Sequence, residues 1–199
     1  MQLRVLNTSD VPKIAEIHLQ AFKGFFLTSL GKRFIETYYA ASIKGRTSIC
    51  VGLFDEEGNL IGFATGTSQS AGFHKAVLLQ NFLHFTISLL MVLMNRPLAI
   101  VRLIKNLNKK YNKIDDKQYA ELLSIALLPS CIGLGYGKIL LEAFEKKARD
   151  RQVAKIALTT DSIGNDKVIE FYKSHQYEVY YEFIGYPNRK MLKMIKNVN

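Results

Sequence analysis

Apolar residues recur along this chain in two rhythms, every third or fourth position and runs or alternations of strand type, and the changes of rhythm mark its elements. Met1 to Leu6 reads as a short strand. Thr8, Ser9 and Asp10 then offer capping side chains ahead of Val11-Pro12. Ile14, Ile17 and Ala21 follow at helical spacing, which predicts a helix from about Val11 to Phe22. Gly24 interrupts it, and Leu30, Phe34, Ile35, Tyr38, Tyr39 and Ser42 predict a second helix ending near Lys44-Gly45. Ser48 to Phe54 and Leu60 to Ser68 flank Asp55-Glu56-Glu57-Gly58-Asn59 and predict a hairpin.

After residue 118 the pattern becomes dense. Tyr119 to Leu128 is a nearly continuous apolar strand of the kind covered on both faces, and Pro129 stops it. Gly133-Leu134-Gly135-Tyr136-Gly137 leads into a helix with Leu140, Leu141, Phe144 and Ala148 on one stripe. Lys155 to Thr160 is a further strand. A loop, Asp161 to Asn165, then precedes a short helix expected to carry Val168, Phe171, Tyr172 and His175 on one face. Tyr177 to Phe183 and Lys190 to Ile195 form a closing hairpin around Gly185-Tyr186-Pro187-Asn188.

The segment from 71 to 117 differs from both neighbours. Ala76 to Asn95 carries no charged side chain, whereas Arg96, Arg102, Lys105, Lys109, Lys110, Lys113 and Lys117 follow closely. Twenty uncharged residues are about enough to cross a bilayer as a helix, but Gln80, Asn81, His84, Thr86 and Ser88 argue against it. The expectation is a core helix packed over the sheet, with Pro97 starting a second, basic helix. An interfacial helix touching anionic headgroups, or a wall of an acceptor pocket, are the functional alternatives.

Composition narrows the class. The chain has 199 residues, enough for one domain with its own core, and 48% apolar residues, too many for a disordered chain. Its mean hydropathy, +0.03, is too low for a polytopic membrane protein. A net charge of +10 suits nucleic acid, an anionic membrane or phosphorylated ligands equally. Cys50 and Cys131 lack the spacing of a zinc or redox motif, so two reduced thiols are expected. His18, His74, His84 and His175 have neither a partner histidine at i+4 nor a neighbouring cysteine pair, so no metal site is expected. No export signal is visible at the N-terminus, which gives the expectation of a cytoplasmic protein.

The glycine loop carries the first chemical signal. Its backbone N–H groups and the following helix N-terminus can cradle a phosphate. The alternating glycines match neither G-x-G-x-x-G nor G-x-x-x-x-G-K-[ST]. Ala126-Leu127-Leu128-Pro129, Ile132-Gly133-Leu134-Gly135-Tyr136-Gly137-Lys138 and Leu140-Leu141 together resemble the acetyl-CoA signature Q/R-x-x-G-x-G/A of the GNAT acyltransferase superfamily. Asn165, Val168 and Phe171-Tyr172, followed by Tyr177, resemble its N-x-x-A-x-x-x-Y element. The likeness covers Tyr119 to about Phe183; the opening strand and helix fit more loosely, and 71–117 fits no family pattern.

That resemblance implies an α/β (α+β) GNAT fold over residues 1–199, a mixed and mostly antiparallel sheet with helices on both faces, with a helical insertion at about 71–117. It implies acetyl-CoA as co-substrate, held by Ala126, Leu127, Leu128, Ile132, Gly133, Leu134, Gly135, Tyr136, Gly137, Lys138 and Asn165. The reaction it implies is direct attack of a primary amine on the thioester. Glu121 is the implied general base, against a solvated strand-end carboxylate as the plain reading. Tyr172 is the implied general acid, against a core tyrosine, and a backbone N–H at Leu127 or its neighbour faces the charge on the carbonyl oxygen. Asn165 reads equally as a helix N-cap. Ile132 replaces the usual Gln or Arg, and Gln176 stands where many members have glycine, so the turn there is expected to be made differently.

The expected acceptor is a small-molecule amine, with an amino sugar on a nucleotide or lipid carrier as its finer form. Peripheral contact with the inner face of a membrane through 76–117 and a homodimer are open partner expectations; nucleic acid ranks last. The alternative function is a catalytically degenerate acyl-CoA-binding or membrane-docking protein of the same fold.

Overall fold

The computed structural model describes residues 1–95, 115–185 and 188–198. Seven strands form one sheet in the order β1-β2-β3-β4-β5-β7-β6: β1 (Gln2–Val5), β2 (Ser48–Phe54), β3 (Leu60–Thr67), β4 (Ala120–Leu127), β5 (Lys155–Asp161), β6 (Glu178–Gly185) and β7 (Arg189–Asn197). Every neighbouring pair is antiparallel except β4 with β5. The helices are α1 (Val11–Ala21), a single turn α2 (Phe26–Ser29), α3 (Lys32–Ile43), α4 (Phe73–Gln80), α5 (Phe82–Asn95), α6 (Tyr136–Arg149) and α7 (Asp166–Ser174). Tyr186 and Pro187 of the last turn, and the basic helix expected from Pro97, lie outside the described residues.

Both faces of the sheet are covered, for the reason the strand pattern implied. Leu140, Leu141, Phe144 and Ala148 of α6 pack on Ile49, Val51, Ala64, Leu122, Ile156 and Leu158. Ile14 and Ile17 of α1 and Ile35 and Tyr39 of α3 pack on Cys50, Phe54, Phe63 and Ala126 from the other side. Asn7 and Asp10 close a reciprocal capping box ahead of α1. Gly66 is needed where it stands: a Cβ there would lie 2.1 Å from the Glu121 carbonyl oxygen and 2.8 Å from the Phe144 ring.

Three expectations change. The uncharged stretch after residue 75 is two helices meeting at 83°, and it packs on α3 rather than over the sheet, with Phe85 against Phe34 and Ser88 Oγ 2.8 Å from Thr37 Oγ1. The buried stripe of α7 is Ile169 and Tyr172, while Val168 is exposed. Gln176 adopts the left-handed conformation itself (φ 68°) and makes the turn a glycine would make, at a cost on the order of 1 kcal/mol. Both cysteines are free.

A buried pair couples α1 to α3. His18 Nδ1 lies 2.8 Å from the Tyr39 hydroxyl, and Nε2 is buried without a partner among the described residues. Burial pushes the imidazole down to about 4, so it folds neutral and charges in the unfolded chain below about 6.5. The unfolded state therefore binds more protons between those values, and stability falls as pH drops through that window. His18 should remove about 2 kcal/mol between pH 7 and about pH 5. Urea unfolding at the two pH values measures it. His18→Gln, which leaves a polar group opposite Tyr39 but does not titrate, should flatten that difference.

Candidate active site

The site begins with a defect in the sheet. Across β3 and β4 the register runs Thr65 with Ser124, then Gly66 with Leu122, so Leu123 is an extra residue in β4, a bulge that bends and twists the strand. On its other edge β4 pairs with β5 over Ala120–Leu122 and Ile156–Leu158. Beyond that, β5 continues along β7 to Asp161, and the two central strands part. Leu128 N–H donates to Ile61 O of β3 at 2.8 Å. Because strand N–H groups alternate between edges, those of Leu127 and Ile125 face the opening and that of Ala126 faces β3.

At the end of β4, Pro129–Cys131 form a 3-10 turn and Ile132 is extended and mostly exposed. Gly133 and Gly135 take positive φ (86° and 80°) with open space where a Cβ would sit. This conformation favours glycine. Among the described residues, the N–H groups of Gly133, Leu134, Gly135, Tyr136 and Gly137 have no backbone acceptor. They lie at the N-terminus of α6, whose macrodipole favours anions. Leu134 is exposed, and Lys138 sits one turn in, paired with Glu142 at 3.8 Å. A diphosphate therefore fits this loop, and the parted strands give an adjoining chain room to lie along Ile125 and Leu127.

The β5 wall of the opening is fixed by Asn165. Its Nδ2 donates to Thr160 Oγ1 at 2.7 Å and to the Asp161 carbonyl at 3.3 Å, and its side chain makes no N-cap bond to α7. Phe171 approaches the glycine loop, its ring 3.7 Å from where a Cβ on Gly137 would sit. Its neighbour Tyr172 is buried beside Tyr177, and burial pushes the phenol well above its ordinary value. Tyr172 thus stays protonated at any physiological pH.

Glu121 lies on the opposite side of the sheet from α6, at the start of β4, and is not a solvated strand-end carboxylate. Lys193 of β7 reaches across β5 to form an ion pair with Glu121 Oε1, and Ser70 Oγ donates to Oε2 at 2.5 Å. Burial pushes the carboxyl up, but the Lys193 ammonium outweighs it by charge and hydrogen bond. Ser70 and His74 add to this, and the group sits below the usual carboxylate range. His74 stands in the first turn of α4, and its imidazole is held below its ordinary value by desolvation first and by Lys193 and Lys117, against the pull of Glu121. Beyond Lys193, Asp115 Oδ2 accepts from the Tyr119 hydroxyl (2.9 Å) and the Tyr181 hydroxyl (2.6 Å).

The fold recurs in known enzymes. The model of the acetyltransferase (GNAT) family matches residues 11–177. The chain belongs to the GNAT acetyltransferase family. Its members use acetyl-CoA, and this chain is an N-acetyltransferase of that type. Among solved structures, ribosomal-protein-S18-alanine N-acetyltransferase from Escherichia coli is 17% identical with a TM-score of 0.64, covering 100% of this chain and 94% of that one. A spermidine N-acetyltransferase SpeG chimera from Vibrio cholerae and hSSAT is 15% identical (TM-score 0.63; 99% and 95% covered). A PaiA N-acetyltransferase from Thermoplasma acidophilum, solved with coenzyme A, is 17% identical (TM-score 0.57; 98% of each). No curated protein sequence matches the chain.

Sequence reasoning missed Lys193, Ser70 and His74 of this GNAT site. A lysine alternating with apolar residues in the last strand carried no local signal, and Ser70 and His74 lie just before and just inside a segment without a family pattern. Two outcomes follow. Lys193→Met should lower stability by about 3 kcal/mol by leaving a buried carboxylate unpaired, and Glu121→Gln in the same chain should restore most of it, as read by urea unfolding. Gly135→Ala should weaken coenzyme A binding by about tenfold in calorimetry with an unchanged circular dichroism spectrum, since a side chain at this φ forces the loop to move.

Proposed function

We propose that this enzyme acetylates a primary amine of a small molecule that enters from the Glu121 side of β4, opposite the glycine loop. The observation that carries the reading is the parting of β4 from β5, with free N–H groups at one end of the opening and a buried carboxylate on the adjoining strand face. Acetyl-CoA supplies the activated acyl group. Backbone N–H groups of 133–137 hold its diphosphate, with Ile132 and Lys138 at the margins, and Ala126, Leu127 and Leu128 line the strand beside it with Asn165 opposite. The N–H of Leu127 or Ile125 faces the oxygen on which charge grows.

Glu121 is ionised at neutral pH and attracts the acceptor's ammonium, which competes with Lys193 for the carboxylate. As Lys193 loosens, the carboxyl's affinity for a proton rises, and the amine gives its proton to Glu121 directly or through water. The amine lone pair then forms the C–N bond, the carbonyl re-forms as the C–S bond breaks, the departing thiolate takes the Tyr172 proton, and the second proton lost by the nitrogen returns to the phenolate through water. An amino sugar on a nucleotide or lipid phosphate is the finer form of the acceptor. Support for it comes from the insertion, which begins beside Ser70, a hydrogen-bond partner of Glu121, and whose sequence is rich in basic residues, which favours a phosphorylated acceptor over a polycation.

Thiol release over a panel of amines, with and without phosphate carriers, tests this. Tyr172→Phe should lower kcat by about a hundredfold and leave coenzyme A affinity unchanged, and Glu121→Gln should lower kcat similarly and remove the acidic limb of the pH profile. Tight coenzyme A binding with no turnover on any amine would overturn the reading in favour of a degenerate acyl-CoA-binding protein. Acetylation of free but not phosphorylated amino sugars would remove the finer acceptor.

A further inference from the structure

The α4–α5 pair presents an apolar surface that neither the core nor the candidate site uses. Phe85 and Val92 turn inward against α3, whereas Leu79 (63%), Phe82 (64%), Leu83 (73%), Ile87 (56%), Leu90 (55%) and Met94 (84%) stand exposed. No charged residue falls between Ala76 and Asn95. A monomeric protein rarely leaves so many large side chains together in water. Scattered exposed leucines need no partner, but these share one short stretch of two adjoining helices.

The charge pattern says what the partner is. Between Glu57 and Asp115 the sequence has no acidic residue, while Lys75 precedes the apolar stretch and Arg96, Arg102, Lys105, Lys109, Lys110 and Lys113 follow it. An apolar stretch flanked by unbalanced positive charge complements a surface that is apolar within and negative at its rim, which describes an anionic bilayer. A second copy of this chain would bring the same excess of positive residues in this part of its sequence, and like charges would oppose the pairing. No single described helix is long and apolar enough to span a bilayer, and the 14 residues of α5 extend about 21 Å against a hydrocarbon core of about 30 Å.

We propose that the α4–α5 face docks the enzyme on anionic membrane. Because Ser70, just ahead of α4, bonds Glu121 and its N–H bonds the Tyr119 carbonyl at 3.1 Å, docking brings the Glu121 side of the site to the lipid surface. The inference stands on the apolar face and its charge, not on the acceptor proposed above.

Co-sedimentation of the full chain with vesicles of phosphatidylcholine alone, or of phosphatidylcholine with phosphatidylglycerol, tests it. The expected result is binding to the anionic vesicles at least about tenfold tighter than to the neutral ones, weakened by high salt. Leu83→Asp with Ile87→Asp should reduce that binding by at least about tenfold. Both positions are exposed, so the circular dichroism spectrum and coenzyme A affinity should be unchanged. Equal binding to both vesicles, no binding to either, or undiminished binding of the double variant would overturn the proposal. So would a dimer in light scattering that the double variant splits while vesicles remain unbound, which would assign the face to a second copy. None of these outcomes alters the turnover assay, so failure here is distinguishable from failure of the proposed chemistry.

Discussion

A β-strand that loses a neighbour must find other partners for its backbone groups, and the parting of β4 from β5 after Leu122 and Leu158 imposes that requirement at the centre of the sheet. The bulge at Leu123 turns the strand, β5 follows β7 instead, and the N–H groups of Ile125 and Leu127 are left facing an opening. The site depends on this. Gly133 and Gly135 end the strand in a loop whose own N–H groups have no backbone acceptor, and Asn165 braces the departing strand at Thr160. A ligand that carries acceptors along its length and phosphates at one end completes the backbone bonding that the fold leaves unfinished. In the proposed binding mode the coenzyme is therefore held mainly by backbone, and Ile132 in place of a Gln or Arg leaves those backbone donors intact.

Opposite the cradle, charge rather than backbone organises the structure. Three of the four cations of β7 each meet an acid on another element: Arg189 with Asp161, Lys193 with Glu121, and Lys196 with Glu145 at 2.8 Å. Arg189 also lies 3.9 Å from the centre of the Phe25 ring, tying the loop after α1 to the far strands. Removing one member of such a pair costs more than the pair contributes, because the remaining charge is left in a low-dielectric setting. The Glu121–Lys193 pair therefore holds the carboxylate ionised and in place.

Much of the architecture was legible because local pattern and tertiary setting agree. The stripe Leu140, Leu141, Phe144, Ala148 and the apolar run of β4 each have one way to be buried, and the glycine loop has a spacing that only certain ligands match. Where the reading went astray, a local signal had two tertiary outcomes. Val168 and Ile169 are neighbours on a short helix, and which of them is buried depends on where α6 sits. Gln176 was expected to change the turn before β6, yet it accepts left-handed backbone at a modest cost because Tyr172 and Tyr177 on either side are locked in the core. Lys193 is invisible as a site residue in sequence, since its partner is 72 positions away and on the other side of β5.

The uncharged stretch from Ala76 to Asn95 fails as a core helix for a geometric reason. A helix laid over the sheet would have to share a face already covered by α1 and α3, so α4 and α5 pack outside α3 instead, against Phe34 and Ala41. From that position they can bury only one side. The remaining apolar surface is then not a defect of packing but a consequence of layering, a third layer with no further element over it among the described residues, and the sequence from 58 to 114 carries no acidic residue. Ser70 and His74 connect this layer to Glu121, so anything that contacts the outer face lies one short helix from that carboxylate.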